Sequence, residues 1–471
     1  MRTEMSFMKS IWKSYPKYGA RSTYTNRRNF LKTSAAFGSV LFFPGQVLGK
    51  GRISPNNRLN IAYIGVGNRS KALLRQPEGD NVIAICEVNA ESKGMDIANK
   101  VCPKAKYFTD FRKMLDVMDR EIDAVVIATP NHTHFPIAMH YAQAQKHLYV
   151  EKPITTTIWE ARELAKAQEK YKITTQMGNQ GRSFEGPCLA KEWYDAGMIG
   201  DIVEVHAWTG RRGQSKPIEP QPEPVPSTLD WDLWIGPARM RQFSQSYLKW
   251  RSWWDFGGGP LYDIGCHTLE APLFALGTRP PARVSATTSE RWAQNPPRSS
   301  TVEFQIPLKG SSKIVKFYWY DGGSENYPQS LRHLESSRSA GSIAEQGGAY
   351  MVGTKAGMIL PGMRASSARL APEKTMREWA RKLPPKTIPR VPRDGAGHMQ
   401  NWIDACKSGG KANSDFASYA VPLAEVVMLG VIAKRLGQPI EWDSANMRIT
   451  NSPQANKFLR PHIRKGWEYQ A

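Results

Sequence analysis

The pattern of apolar and polar positions changes character once along this chain, near residue 180. Before that point short apolar runs alternate with stretches of helical period. Asn60 to Ile64, Val82 to Cys86, Ile122 to Ala128, Leu148 to Val150 and Ile173 to Met177 are compact and rich in β-branched residues. Strands buried on both faces of a parallel sheet have this composition. Between them Ser70 to Leu74, Phe135 to Gln145 and Trp159 to Tyr171 read as helices, so the order is βαβα and a doubly wound parallel sheet is expected. After residue 180 alternation takes over. Gly200 to Trp208, Ala282 to Thr288, Ser300 to Ile306 and Ile314 to Tyr320 follow one another with few helices between, which predicts a large, mostly antiparallel open sheet. Gly353 to Leu360 is a further candidate for it. Pro187 to Ala196, His398 to Lys407 and Tyr419 to Leu436 read as helices. In the last, Val426, Leu429, Ala433 and Leu436 line one face and Gly437 is a ready C-cap. Arg332 to Gln346 is Ser/Gly-rich and reads as a loop, Pro384 to Pro392 as extended chain, and the basic stretch Trp442 to Trp467 as a tail over the surface. His398 opens its helix and reads as a cap or core histidine.

The first strand stops at Gly65-Val66-Gly67, a helix follows at once, and the second strand ends in Glu87, twenty-two residues beyond Gly65. Strand, glycine turn, helix, strand and acid form the dinucleotide-binding βαβ pattern. Gly65 permits the tight turn, and Gly67 leaves the backbone N–H groups open to a pyrophosphate. Ser70 stands at the third motif position, where Gly or Ala is usual. Glu87 can accept from both ribose hydroxyls and repels a 2′-phosphate, which favours NAD over NADP. The strand ends supply the other cofactor contacts expected: Asn68 and Arg69 after the first strand, Thr129, Pro130, Asn131 and His134 after the third, Glu151 and Lys152 after the fourth, and Gln180 beyond the fifth. The pair His132 and His134 reads as a cap or cofactor contact rather than a metal site, since no third ligand is in reach, and no metal is expected.

The densest constellation is Trp250 to His267, where Gly257-Gly258-Gly259-Pro260 opens a helix expected to run to about Leu276. Asp263 and His267 are four apart on one face of it. A carboxylate beside an imidazole fixes the tautomer and raises basicity for proton abstraction, although by spacing alone the pair could equally be a surface ion pair. The tryptophans at 231, 234, 250, 253 and 254 could stack on sugar rings, but packing is the favoured reading.

G-x-G with its acid, then A-T-P-N-H-T-H, then E-K-P, then G-G-G-x-x-x-D-x-G-x-H together resemble the glucose-fructose oxidoreductase / inositol dehydrogenase (Gfo/Idh/MocA) family. The resemblance is specific from Leu59 to about Leu276 and weaker beyond. It implies an α/β fold, with an N-terminal Rossmann domain at 50–178, a C-terminal α+β domain carrying the open sheet at 179–440, and a tail at 441–471. It implies that Lys152 contacts the reacting hydroxyl and the nicotinamide ribose, that the bond before Pro153 is cis, that His267 is the general base with Asp263 as its orienting or substrate-binding partner, and that the open sheet makes a homo-oligomer. The activity implied is NAD-dependent oxidation of a hydroxyl on a sugar, polyol or glycoside. Two alternatives stay open: redox-assisted glycoside cleavage with recycled NAD, and a non-catalytic dinucleotide- or sugar-binding protein.

The net charge of +22 is uneven, with nine Lys/Arg and one acid in residues 1–50. Arg27-Arg28-Asn29-Phe30-Leu31-Lys32, the apolar stretch Thr33 to Phe43 and the small residues to Gly49 resemble a twin-arginine export signal over 1–49. Eleven apolar residues are too few to span a bilayer, so a periplasmic or secreted protein without a membrane anchor is expected. No basic helix or RNA-binding signature supports nucleic-acid binding. The five cysteines are odd in number and widely spaced, which points to free thiols. Export away from a free NAD pool implies that the cofactor stays tightly bound.

Overall fold

Six short strands carry the first half: β1 (Asn60–Ile64), β2 (Asn81–Cys86), β3 (Lys106–Phe108), β4 (Ala124–Ile127), β5 (His147–Val150) and β6 (Thr175–Met177). They appear in a computed structural model that describes residues 57–77, 79–277, 279–336 and 343–468. The expected export signal at 1–49 lies outside the described residues. The strand order is β3-β2-β1-β4-β5-β6 and every pairing is parallel. The order reverses between β1 and β4, so the crevice at their C-terminal ends is the binding position of a doubly wound sheet.

Helices Phe111–Met118, His134–Gln143 and Ile158–Tyr171 cover one face of this sheet. On the other face the local helices, Ser70–Leu73 and Met95–Val101, are short. The cover is completed from far along the chain, where Met399, Trp402 and Ile403 of helix His398–Ser408 pack on Ile61, Tyr63 and Tyr149. His398 is fully buried, with Nδ1 at 2.7 Å from Ser183 Oγ and Nε2 at 2.9 Å from Met177 O. A division of the chain at 178/179 therefore separates residues that share one core.

The second sheet has nine strands: β7 (Ile202–Trp208), β8 (Arg283–Thr288), β9 (Ser300–Pro307), β10 (Ile314–Asp321), β11 (Gly348–Gly353), β12 (Gly357–Pro361), β13 (Arg369–Ala371), β14 (Ile440–Asp443) and β15 (Arg448–Ile449). Their order is β13-β12-β11-β7-β10-β9-β8-β14-β15, antiparallel except for the β7–β10 pair. Gly353 to Leu360 does return to the sheet, as the last residue of β11, a three-residue turn and most of β12. The tail is corrected. Its first residues extend the sheet edge as β14 and β15, and Trp467 is buried beside Phe111 while Arg112 lies over its ring. The segment joins the sheets instead of lying over them.

Helix Val421–Leu436 follows a π turn at Phe416–Ala420, and twelve of its sixteen residues are buried, so it is wrapped on nearly all sides rather than along one stripe. With that turn it is long and apolar enough to cross a membrane by composition, but here it is a core helix. A Cβ at Gly430 would lie 2.7 Å from Leu261 and Phe304, which shows how closely it packs. Lys434 and Asp321 form a 2.9 Å ion pair within this core, both side chains fully buried, with Ser300 and Trp319 also donating to Asp321. Removing one partner leaves a buried charge alone. Lys434→Met is expected to lower stability by about 3–5 kcal/mol in chemical unfolding, and adding Asp321→Leu to recover most of it. A single variant as stable as the parent would contradict this account of the core.

Candidate functional site

β1 ends at Gly65, whose φ is +82° and whose added Cβ would sit 2.8 Å from the backbone N of Thr129 at the end of β4. Only glycine fits where the two strand ends meet. Ser70 is buried and donates from Oγ to Gly65 O at 2.5 Å, so the unusual third motif residue ties the helix back to the turn. Gly67 differs in kind, since a Cβ there would meet nothing within 4 Å. The space over Gly67 is open. Glu87 holds the turn from the next strand end, accepting from the N–H of Val66 at 2.8 Å and of Asn89 at 3.0 Å. Each carboxylate oxygen keeps a lone pair for a ribose hydroxyl. Asn68 is exposed at the rim, and Thr129 and Pro130 are part-exposed beside it. Two buried donors nearby have no partner among the described residues, Asn131 Nδ2 and Arg69 Nη2. Buried donors of this kind are satisfied by a ligand or water, so the residues present fit a dinucleotide.

At the end of β5, Glu151 is buried and organises its neighbours. It accepts from Arg69 Nε at 2.8 Å and Gln180 Nε2 at 3.1 Å, and Gln180 also donates to the Tyr149 hydroxyl at 3.1 Å. The next residue, Lys152, turns into the cleft, and the bond to Pro153 is cis. Its ammonium donates to the main-chain oxygen of Asp263 and to Oδ1 of the same residue at 2.8 Å. Arg251 approaches that oxygen from the solvent side at 3.0 Å. Burial works against ionisation of Asp263, but the charges of Lys152 and Arg251 hold its carboxyl well below the usual range. His267 lies one turn on, 4 % exposed. Burial, with Lys152 and Arg364 nearby, pushes its imidazole well below its ordinary pKa, and Nδ1 has no hydrogen-bond partner among the described residues. An ammonium anchored through two of its three donors and a neutral imidazole with a bare nitrogen therefore share one cleft. That set can steady an oxyanion and accept a proton.

Residues 59–179 match a family model described as an oxidoreductase family NAD-binding Rossmann fold, and residues 203–296 match the C-terminal alpha/beta domain of the same family. These two stretches of the chain match the Gfo/Idh/MocA oxidoreductase family. It is 26% identical over 153 residues to inositol 2-dehydrogenase of Salmonella paratyphi B, covering 31% of this chain and 45% of that protein. It is 31% identical over 178 residues to a glycosyl hydrolase family 109 protein of Saccharopolyspora erythraea, covering 32% and 38% respectively. The chain thus spans less than half the length of these curated relatives. Among solved structures, the WlbA dehydrogenase of Bordetella pertussis, in complex with NADH and UDP-GlcNAcA, superposes with a TM-score of 0.57 at 17% identity over 82% of this chain and 98% of that one. This likeness shows the fold.

Against the arrangement expected of a Gfo/Idh/MocA protein, one placement changes. No hydrogen bond joins Asp263 to His267. Both lie on helix Gly259–Thr268, but the stronger partner for the carboxylate is the cation reaching over from β5, so Asp263 orients Lys152. His134 is fully buried, its two ring nitrogens 2.9 Å from the carbonyl oxygens of Thr129 and Pro153, so both face the two cofactor-side turns. His132 points elsewhere, with Nε2 2.9 Å from Trp234 O. Among the described residues no three His, Cys, Asp or Glu groups are placed to hold a metal, and all five cysteines are free and buried. The helix from Gly259 breaks near Leu269 and restarts at Glu270, because Pro272 has no N–H for the carbonyl four residues back.

Arg251 and Glu270 were missed in the sequence. Arg251 sits inside the Trp-rich motif, but its contact twelve residues on follows no helical period. Glu270 continues the Asp263/His267 face by one more turn, a signal that was available. Its Oε1 accepts from Asn179 at 2.8 Å and Tyr419 at 3.0 Å, and burial pushes its carboxyl up to about 8. The two glycines separate turn from cradle. Gly65→Ala is expected to cost about 1–3 kcal/mol of stability through backbone strain. Gly67→Ala should leave the melting temperature unchanged yet weaken NAD binding at least tenfold by calorimetry. Unchanged NAD affinity in Gly67→Ala would place the dinucleotide elsewhere.

Proposed function

We propose that this protein is an exported NAD-dependent oxidoreductase acting on a CH–OH group of a sugar, polyol or glycoside, with its cofactor held through the catalytic cycle. One observation carries the reading: the ammonium of Lys152, fixed by Asp263, shares a cleft with a neutral, unpartnered imidazole on His267. The third N–H of Lys152 is left for the substrate oxygen, which it steadies as negative charge develops. His267 accepts the hydroxyl proton on a ring nitrogen. Bound NAD supplies the hydride acceptor. Export rests on the Arg27-Arg28 leader, and retention of NAD follows from the lack of a free pool outside the cytoplasm. Homo-oligomerisation through the open face of the nine-stranded sheet belongs to the same proposal, and a monomer mass by light scattering on the mature protein would remove it.

A second reading, glycoside cleavage through transient oxidation with NAD recycled, is supported by the likeness to the family 109 glycosyl hydrolase protein. The two separate by product: net NADH for a dehydrogenase, free sugar without net NADH for the hydrolase.

Mature protein, denatured and filtered, is expected to release about one NAD per chain, and turnover that needs a continuous supply of added NAD would refute retention. Lys152→Met should lower kcat at least a hundredfold with NAD still bound. Because the folded environment lowers the His267 pKa, the imidazole stays available until the pH falls below its ordinary value near 6.5. The acid limb of kcat/KM therefore lies below pH 6.5, and a limb at or above that value would exclude His267 as the base.

A further inference from the structure

A cavity of about 670 Å³ lies against the catalytic helix but on a different side of it: Gly257, Gly258 and Tyr262 line it, whereas Lys152, Asp263 and His267 do not. Two features of the sequence left unused by the catalytic site meet there, the Trp-rich stretch and the basic C-terminal segment. Its cations come from three separated parts of the chain: Arg239 and Arg241, Arg435 at the end of helix Val421–Leu436, and Lys457 with Arg460. Asp255 is shared by Arg241 at 2.7 Å and Arg435 at 3.9 Å. The other wall carboxylate, Glu160, is taken by the cap of helix Ile158–Tyr171, accepting from the N–H groups of Thr156 and Thr157. Arg239, Lys457 and Arg460 make no ion pair among the described residues, although the guanidinium of Arg460 lies over the Trp159 ring. Three cations are left over.

The wall also holds a buried acceptor. Nε2 of His132 faces the Trp234 carbonyl, which can only accept, so the proton is on Nε2 and Nδ1 is a bare lone pair. His132 is 3 % exposed, lines the cavity, and its Nδ1 has no partner among the described residues. Trp254 and Phe458 add flat apolar faces, with Arg435 stacked over both rings. An occupant must supply negative charge for the cations, an O–H for His132 and an apolar face for the rings. Inorganic phosphate supplies charge and an O–H but no apolar face, and a neutral sugar lacks the charge. We propose that this cavity is a second binding site, separate from the catalytic cleft, for a carboxylated saccharide of one or two rings. Its size suits such a ligand.

The test is calorimetric titration of the full mature protein, saturated with NAD, using digalacturonate, with maltose and inorganic phosphate as comparisons. Digalacturonate is expected to bind at least tenfold more tightly than maltose. Arg239→Gln with Arg460→Gln should weaken it at least tenfold at unchanged melting temperature and NAD content, and Lys152→Met should leave it unaltered. Absence of binding, binding lost in Lys152→Met but kept in the double arginine variant, or displacement by phosphate at equal concentration would each overturn the proposal.

Discussion

The 2.8 Å ion pair between Lys152 and Asp263 is the constraint on which the site depends. Its partners come from different sheets' surroundings, Lys152 from the end of β5 and Asp263 from the helix that opens at Gly259. Both side chains are mostly buried, where an isolated charge is costly and a matched pair is tolerated. The pair keeps Asp263 ionised against its burial, and the same ammonium helps to keep His267 neutral. One contact thus holds Asp263 charged and helps to hold His267 neutral.

That contact requires the two halves to be held in register, and the chain secures them with segments distant in sequence. Helix His398–Ser408 covers the nucleotide sheet although it follows seven of the second sheet's nine strands, and Trp467 packs beside Phe111. Arg464 adds a 2.6 Å bridge to Asp232. Between the sheets the Arg162–Glu425 pair ties helix Ile158–Tyr171 to helix Val421–Leu436 at 2.8 Å. Misplacement of any of these would move Lys152 relative to His267, and reactive geometry tolerates little displacement.

The cofactor edge shows how one motif divides its labour. Gly65 serves the protein, since any side chain would strike Thr129, whereas Gly67 opens on space no protein atom fills. Glu87 clamps Val66 while keeping acceptor capacity. Arg69, Glu151, Gln180 and Tyr149 form one network, so the residues expected at the dinucleotide are organised before it arrives.

The sequence by itself determined the parallel and antiparallel sheets, the glycine turn, and the identities of Lys152, Asp263 and His267, because strand burial, helix period and short-range spacing are local quantities. Tertiary structure alone decided the pairing. Spacing put Asp263 beside His267, but the carboxylate turned to a cation 111 residues away, since a full charge in a buried cleft outweighs a neutral ring one turn along. His134 turned to main-chain partners for a related reason: buried between two carbonyl oxygens, it meets polar groups that no local pattern encodes. Which distant helix covers a bare sheet face, and which charges meet across a cleft, depend on surfaces that exist only once the chain has folded.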